Sequence, residues 1–130
     1  MSEENVEAVR ESYQTPGALF ATWAERMAPK IEFDFTAVYP DRPVMRGIEE
    51  LRRFREEGPW AELSFEPERF LDVDDERVLV LVRVHATGTG SGVPVELRNA
   101  HEFTIRDGVL VRFKVYGDRD EALEAAGLSE

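Results

Sequence analysis

The spacing of apolar and polar positions changes period partway along the chain. From Glu3 to about Gln14, Val6, Val9, Arg10 and Tyr13 fall near one stripe, the repeat of an amphipathic helix. Thr15-Pro16 reads as an N-cap followed by proline at the first helical position. The second helix it opens presents Leu19, Phe20, Trp23 and Met27 and ends before Pro29. The period then becomes two: Ile31, Phe33 and Phe35 alternate with Glu32, Asp34 and Thr36, which predicts a short strand. Val38 to Arg46, marked by Pro40-Asp41 and Pro43, is a loop. Gly47 opens a third helix with Ile48, Leu51 and Phe54 as its buried stripe, and Gly58-Pro59 stops it.

Beyond Gly58-Pro59 the chain alternates at period two almost throughout. Strands are predicted at about Leu63–Asp72, Arg77–Thr87, Val93–Arg106 and Val109–Tyr116. Pro67 cannot donate to a ladder and points to an edge strand or a bulge. Asp74-Asp75 and Asp107-Gly108 are tight hairpin turns, and Gly88 to Gly92 forms a longer loop. Asp118 caps a last helix, Arg119–Ala126, which Gly127 ends. Sequential hairpins imply a largely antiparallel meander with the helices packed on one face: an α+β fold, one domain over residues 1–130.

Composition narrows the function classes. With 130 residues the chain can bury a core without staples, and its lack of cysteine excludes disulfide scaffolds, thiolate catalysis and cysteine-ligated zinc. Sixteen basic against 27 acidic residues give a net charge of −11, which repels phosphate backbones; no nucleic-acid partner is expected. No apolar run reaches membrane length, and Met1-Ser2-Glu3-Glu4-Asn5 lacks the basic and apolar regions of a signal peptide. The expectation is a soluble cytoplasmic protein without a membrane partner.

Chemistry concentrates on the Val93–Arg106 strand. Alternation places Val95, Leu97, Asn99, His101, Phe103 and Ile105 on one face, so an amide and an imidazole share an otherwise apolar surface. A buried polar group without a partner costs about 1–3 kcal/mol, so each needs a structural hydrogen bond or a ligand. Two readings of His101 stand open: a core histidine bonded to Asn99, Tyr13 or a backbone carbonyl, or an acid/base or donor to a ligand. Asp34, between Phe33 and Phe35, is a general base if its strand turns its polar face into a cavity; alternation alone points it to solvent with Glu32 and Thr36. Tyr13 is either packing or a donor into a pocket. Arg83 and His85 share a strand face whose plainer reading is solvated or a subunit contact.

Other chemistries lack their residues. Gly88-Thr89-Gly90-Ser91-Gly92 has no following helix and lysine, so it is no phosphate loop. The two histidines and scattered carboxylates show no metal-ligand spacing. Neither Ser12 nor Ser64 sits in a nucleophile elbow.

The element order, the Val44-Met45-Arg46-Gly47-Ile48-Glu49-Glu50-Leu51 segment and the His101-Glu102-Phe103-Thr104-Ile105-Arg106-Asp107-Gly108 hairpin resemble the SnoaL-like branch of the NTF2-like superfamily. The closing Asp118-Arg119-Asp120-Glu121-Ala122-Leu123-Glu124-Ala125-Ala126-Gly127-Leu128 is similar to the tail of many bacterial members. The resemblance implies a cone-shaped α+β barrel, a strongly curved, mostly antiparallel sheet wrapped around N-terminal helices, with one deep pocket and a short C-terminal helix. It also implies a homodimer through the outer sheet face.

Relatives in that superfamily include ketosteroid isomerases, polyketide cyclases, epoxide hydrolases, dehydratases and non-catalytic binding modules, so the fold leaves activity open. By position, Tyr13 resembles the isomerases' pocket tyrosine and Asp34 their general base. His101 takes the place of the acid in their oxyanion hole and of the cyclases' acid/base; ketosteroid isomerase is a standard example of such pKa tuning. An imidazole there is not the neutral carboxylic acid of the isomerases.

The resemblance leaves two functional readings. One is a pocket enzyme of isomerase, cyclase or dehydratase type acting on an apolar carbonyl compound, with His101, Asp34 and Tyr13 as working groups and no cofactor. The other is a non-catalytic binding or dimerisation module. In both, Leu19, Trp23, Leu51, Phe54, Trp60, Leu97, Asn99 and Phe103 line the pocket, and the partner is a small apolar molecule.

Overall fold

A computed structural model describes residues 2–14, 19–58 and 60–128. Helix α1 spans Ser2–Ser12, with Glu3 and Glu4 in its first turn and Arg10 in its last, each charge opposing the nearby end of the helix dipole. Val9 on its inner side is fully buried. The predicted second helix is not formed over its length. Among the described residues of that segment only a three-residue 3₁₀ turn, Ala21–Trp23, is present, and the Thr15-Pro16 cap lies outside the described residues. Met27, expected on that helix, instead starts strand β1, Met27–Asp34.

Competition from the sheet explains the difference. Met27 pairs with Leu110, and the Leu110 N–H donates to the carbonyl of Arg26. Pro29 sits in β1 where the ladder is irregular, between the Met27 and Glu32 pairings, so its missing N–H leaves no gap in the register. Trp23 caps this region from within: its ring is fully buried and its indole N–H donates to Ser12 Oγ at 3.2 Å.

After β1 come β2 (Met45–Arg46), α2 (Ile48–Glu57), β3 (Trp60–Asp72), β4 (Arg77–Gly88), β5 (Pro94–Arg106), β6 (Val109–Tyr116) and α3 (Arg119–Ala125). The strands form one open sheet in the order β2-β1-β6-β5-β4-β3, antiparallel except for the β1–β6 pair. β3 is therefore an edge strand, and its register slips between Pro67 and Arg69, where Pro67 predicts a bulge. Asp107 and Gly108 both take positive φ, 52° and 77°, as a tight hairpin between β5 and β6 demands.

The two faces of the sheet are buried differently. The inner face packs Val78, Val80, Val82 and Val84 of β4 against Phe103, Ile105 and Phe113 and against Val9 and Trp23. The outer face carries a smaller cluster in which Ala122 and Leu123 of α3 cover Leu79, Leu81 and Ala100. The expectation that all helices share one face is thus corrected: α3 crosses to the other side. Its own pattern supplies the reason, because Ala122-Leu123 is the apolar patch of an otherwise charged helix and needs a complementary surface. No helix among the described residues is long and apolar enough to cross a membrane.

Candidate functional site

The inner face leaves a sizeable cavity, about 660 Å³, walled by strands β3 to β6, helix α2 and the segments flanking β1. A volume of this order lies within the range of small-molecule pockets, roughly 300–1,000 Å³. Its lining is overwhelmingly apolar, and the β5 side chains that interrupt it are Asn99 and His101. They stand two residues apart on one face of β5, with His101 between Val80 of β4 and Val115 of β6, and Asn99 beside Val82.

His101 is 1% exposed. Phe65 meets its ring edge-on and Phe113 lies tilted against it, each with centroids 4.9 Å away. Among the described residues its hydrogen-bond partner is Tyr13, whose hydroxyl lies 2.7 Å from Nδ1. Burial pushes the Tyr13 phenol well above its ordinary value, so the phenol keeps its proton at neutral pH, and it can donate to a bare Nδ1 or accept from a protonated one. Where the phenol donates, the imidazole proton resides on Nε2. Burial also drives the His101 pKa down to about 3, since nothing nearby compensates an imidazolium for its lost water. At neutral pH the side chain is a neutral imidazole held by Tyr13 at the cavity wall.

The other predicted site residues divide. Leu19, Leu51, Phe54, Trp60, Leu97 and Asn99 line the cavity. Trp23 and Phe103 do not: both are fully buried in the core beneath it, with centroids 6.3 Å apart. Asp34 is not brought to His101. It lies on the opposite sheet face, where its carboxylate accepts from the Thr36 N–H and hydroxyl at 3.1 and 2.7 Å and pairs with Arg112 at 3.3 Å and Lys114 at 4.0 Å. Burial raises its pKa, but the two Thr36 hydrogen bonds and the Lys114 and Arg112 charges outweigh it and hold the carboxyl below the usual range. A salt-bridged carboxylate outside the cavity cannot serve as the base in it. The strand's polar face simply stays outward, as alternation requires.

Arg83 and His85 also face outward, Arg83 toward Glu68 at 3.0 Å and His85 toward Glu66 at 3.0 Å. A second depression of about 630 Å³ lies at that end of β3–β5, lined by Ser64, His85 and Glu96 among others, and none of its lining polar residues is buried. Among the described residues no group of three or more His, Cys, Asp or Glu is placed to hold a metal ion.

Several lining residues escaped the sequence reading. Arg52 and Arg55 line the cavity from α2, and Tyr39 does so beside Trp60, whose indole N–H donates to the tyrosine hydroxyl. The signal for the arginines was present: Ile48, Leu51, Arg52 and Arg55 stand at i, i+3, i+4 and i+7, one helical stripe. Phe65 and Phe113 carried no such signal, because only tertiary pairing brings their strands beside His101.

Comparison with known proteins agrees with this architecture. The family model of the SnoaL-like domain matches residues 6–113, and the chain belongs to that family. The fold is NTF2-like. An NTF2-like protein of unknown function from Burkholderia pseudomallei is 23% identical, with a TM-score of 0.71 over 92% of this chain and 95% of that one. A protein assigned as a SnoaL-like polyketide cyclase from Jannaschia is 20% identical, with a TM-score of 0.72 over 99% and 95% of the two chains. An LEH-like epoxide hydrolase of M. tuberculosis is 15% identical, with a TM-score of 0.64 over 96% and 90%. Identities this low carry the fold and no activity. A comparison with curated proteins gives no match.

Proposed function

We propose that this protein binds a small, largely apolar carbonyl compound in the β3–β6 cavity and polarises it through His101. The observation that carries this reading is the Tyr13–His101 hydrogen bond at 2.7 Å, which occupies Nδ1; with the phenol as its donor, Nε2 carries the proton and is the ring's remaining donor in a largely apolar lining. A carbonyl oxygen is the acceptor such a donor wants. In a low-dielectric site that bond is worth more than in water, because neither partner has a solvent alternative.

Two observations favour binding and polarisation over a two-group proton transfer. Among the described residues the cavity lining holds no Asp or Glu, so no carboxylate there is placed to act as a base. His101, with its pKa near 3, is a weak base at neutral pH. The cyclase and epoxide hydrolase among its structural relatives fit a small-molecule pocket, and this chain shares that fold with its own set of polar groups.

The test is a thermal-shift and calorimetric titration with an aryl ketone such as 2-acetylnaphthalene. Wild type binds; His101→Ala loses about tenfold in affinity, the worth of one buried hydrogen bond. Tyr13→Phe gives a smaller loss, because Nε2 remains but its ring is no longer held. Equal affinities for all three proteins would show that His101 does not meet the ligand.

A further inference from the structure

The charges around the cavity are distributed against the trend of the chain. Acidic residues outnumber basic ones 27 to 16 overall, yet among the described residues the lining contains Arg52 and Arg55 and no carboxylate. Helix α2 shows the sorting within ten residues. It carries Glu49, Glu50, Glu56 and Glu57, none of which lines the cavity, while two of its three arginines do. Both lie on the stripe that begins with Ile48 and Leu51, so the apolar face of the helix ends in cations.

The two arginines are differently committed. Arg52 pairs with Glu49 at 2.7 Å, on the surface and one turn away. Among the described residues Arg55 has no carboxylate partner; its Nη1 donates to the backbone carbonyl of Trp60 at 2.7 Å. A carbonyl fixes the guanidinium without neutralising it. Among the described residues no acceptor takes the other four of its five guanidinium N–H donors. Beside it, the Tyr39 hydroxyl accepts from the Trp60 indole and keeps its own proton to give. The rim thus offers a positioned cation and a phenolic donor next to an apolar chamber.

Resting on the reading of a carbonyl ligand at His101, we propose that the ligand is an amphipathic anion. Its apolar body fills the chamber, its carbonyl meets His101, and a carboxylate or similarly acidic oxygen is held at the rim by Arg55, with Arg52 adding charge. The register sets the reach. His101 pairs with Val80 and Trp60 with Gly88, so the two polar ends lie at most about 26 Å apart along β4 at strand rise, and less across a curved sheet. A long-range field from the net charge of −11 disfavours anions in general, so capture depends on these local cations.

Because the register bounds the span at about 26 Å, the experiment takes a series of ω-(2-naphthyl)-ω-oxoalkanoic acids of about five to fifteen chain carbons, each compared with its methyl ester by calorimetry, in wild type, Arg55→Gln, Arg52→Gln/Arg55→Gln and Arg53→Gln. Arg53 is exposed on α2 and does not line the cavity, so its variant makes the same charge change elsewhere. At the chain length that spans the two ends, the acid binds wild type about five- to tenfold more tightly than the ester, as a charge-assisted bond implies. Arg55→Gln removes most of that preference, the double variant removes all of it, and Arg53→Gln retains it. Equal binding of acid and ester at every length overturns the anion proposal while the carbonyl pocket stands; so does a preference that survives the double variant or is lost equally in Arg53→Gln. Absence of binding throughout the series overturns the pocket reading and this proposal with it.

Discussion

A buried imidazole bound to one phenol is a pH-sensitive element whatever ligand it meets. The His101 pKa is lowered by burial to about 3, against about 6.5 for an unfolded histidine. Between those values the unfolded chain holds a proton that the folded chain does not, so stability rises with pH across the window and is lost as pH falls through it. Above about pH 6.5 both states are neutral and the contribution is flat. Urea titrations at pH 7 and pH 5 should therefore show wild type losing about 2 kcal/mol on acidification, before most carboxylates titrate. His101→Gln, which cannot be protonated, should lose much less over the same interval. A pH dependence identical in both proteins would mean that His101 is solvated.

At the scale of elements, α3 shows how a short segment is held by two independent devices. Asp118 caps it by accepting from the Asp120 and Glu121 N–H groups at 2.8 and 3.2 Å, and Leu123 anchors it at 5% exposure against Leu79 and Leu81. Removing the cap with Asp118→Ala should cost about 1 kcal/mol, and removing the anchor with Leu123→Ala about 2–4 kcal/mol, both read by urea denaturation. A smaller loss for Leu123→Ala than for Asp118→Ala would mean that α3 is not seated on the sheet. This helix also marks the limit of what the sequence discloses. Its cap, its span and its closing Gly127 are local signals and were readable, as were the meander and the Asp107-Gly108 turn. Which sheet face it covers is not local, because Ala122-Leu123 fits either side until the strands have paired. The same reason undid the second helix: Leu19, Phe20, Trp23 and Met27 have helical spacing, but pairing of Met27 with Leu110 prevails over propensity. For the site, alternation along β5 correctly joined Asn99 and His101. Trp23 and Phe103 read as pocket walls only because apolar pattern cannot separate a core from a cavity.

The whole molecule presents an outer sheet face that α3 covers only in part. Across β1, β6 and β5 the uncovered portion carries ions in columns. Arg112 of β6 reaches Glu32 at 3.5 Å and Asp34 at 3.3 Å on one side and Glu102 at 3.8 Å on the other. Arg77 approaches Glu102 from the far side at 3.8 Å, leaving that carboxylate 3% exposed. The family resemblance implies a homodimer through this face, and we propose one whose interface is polar. Its salt dependence then separates two forces of opposite sign. Repulsion between two chains of net charge −11 acts at long range and is largely screened by about 0.1 M salt, where the Debye length is about 10 Å. Contacts between facing ions are shorter than that length and weaken only as salt rises further. Dimer affinity should therefore climb as salt approaches about 0.1 M and fall again toward 1 M, where the screening length is about 3 Å. Light scattering over that range at micromolar protein gives the measurement. An apolar interface would instead strengthen steadily with salt, and a monomer at every salt concentration would leave the outer face as solvent-exposed surface, with its ion columns serving only the sheet that carries them.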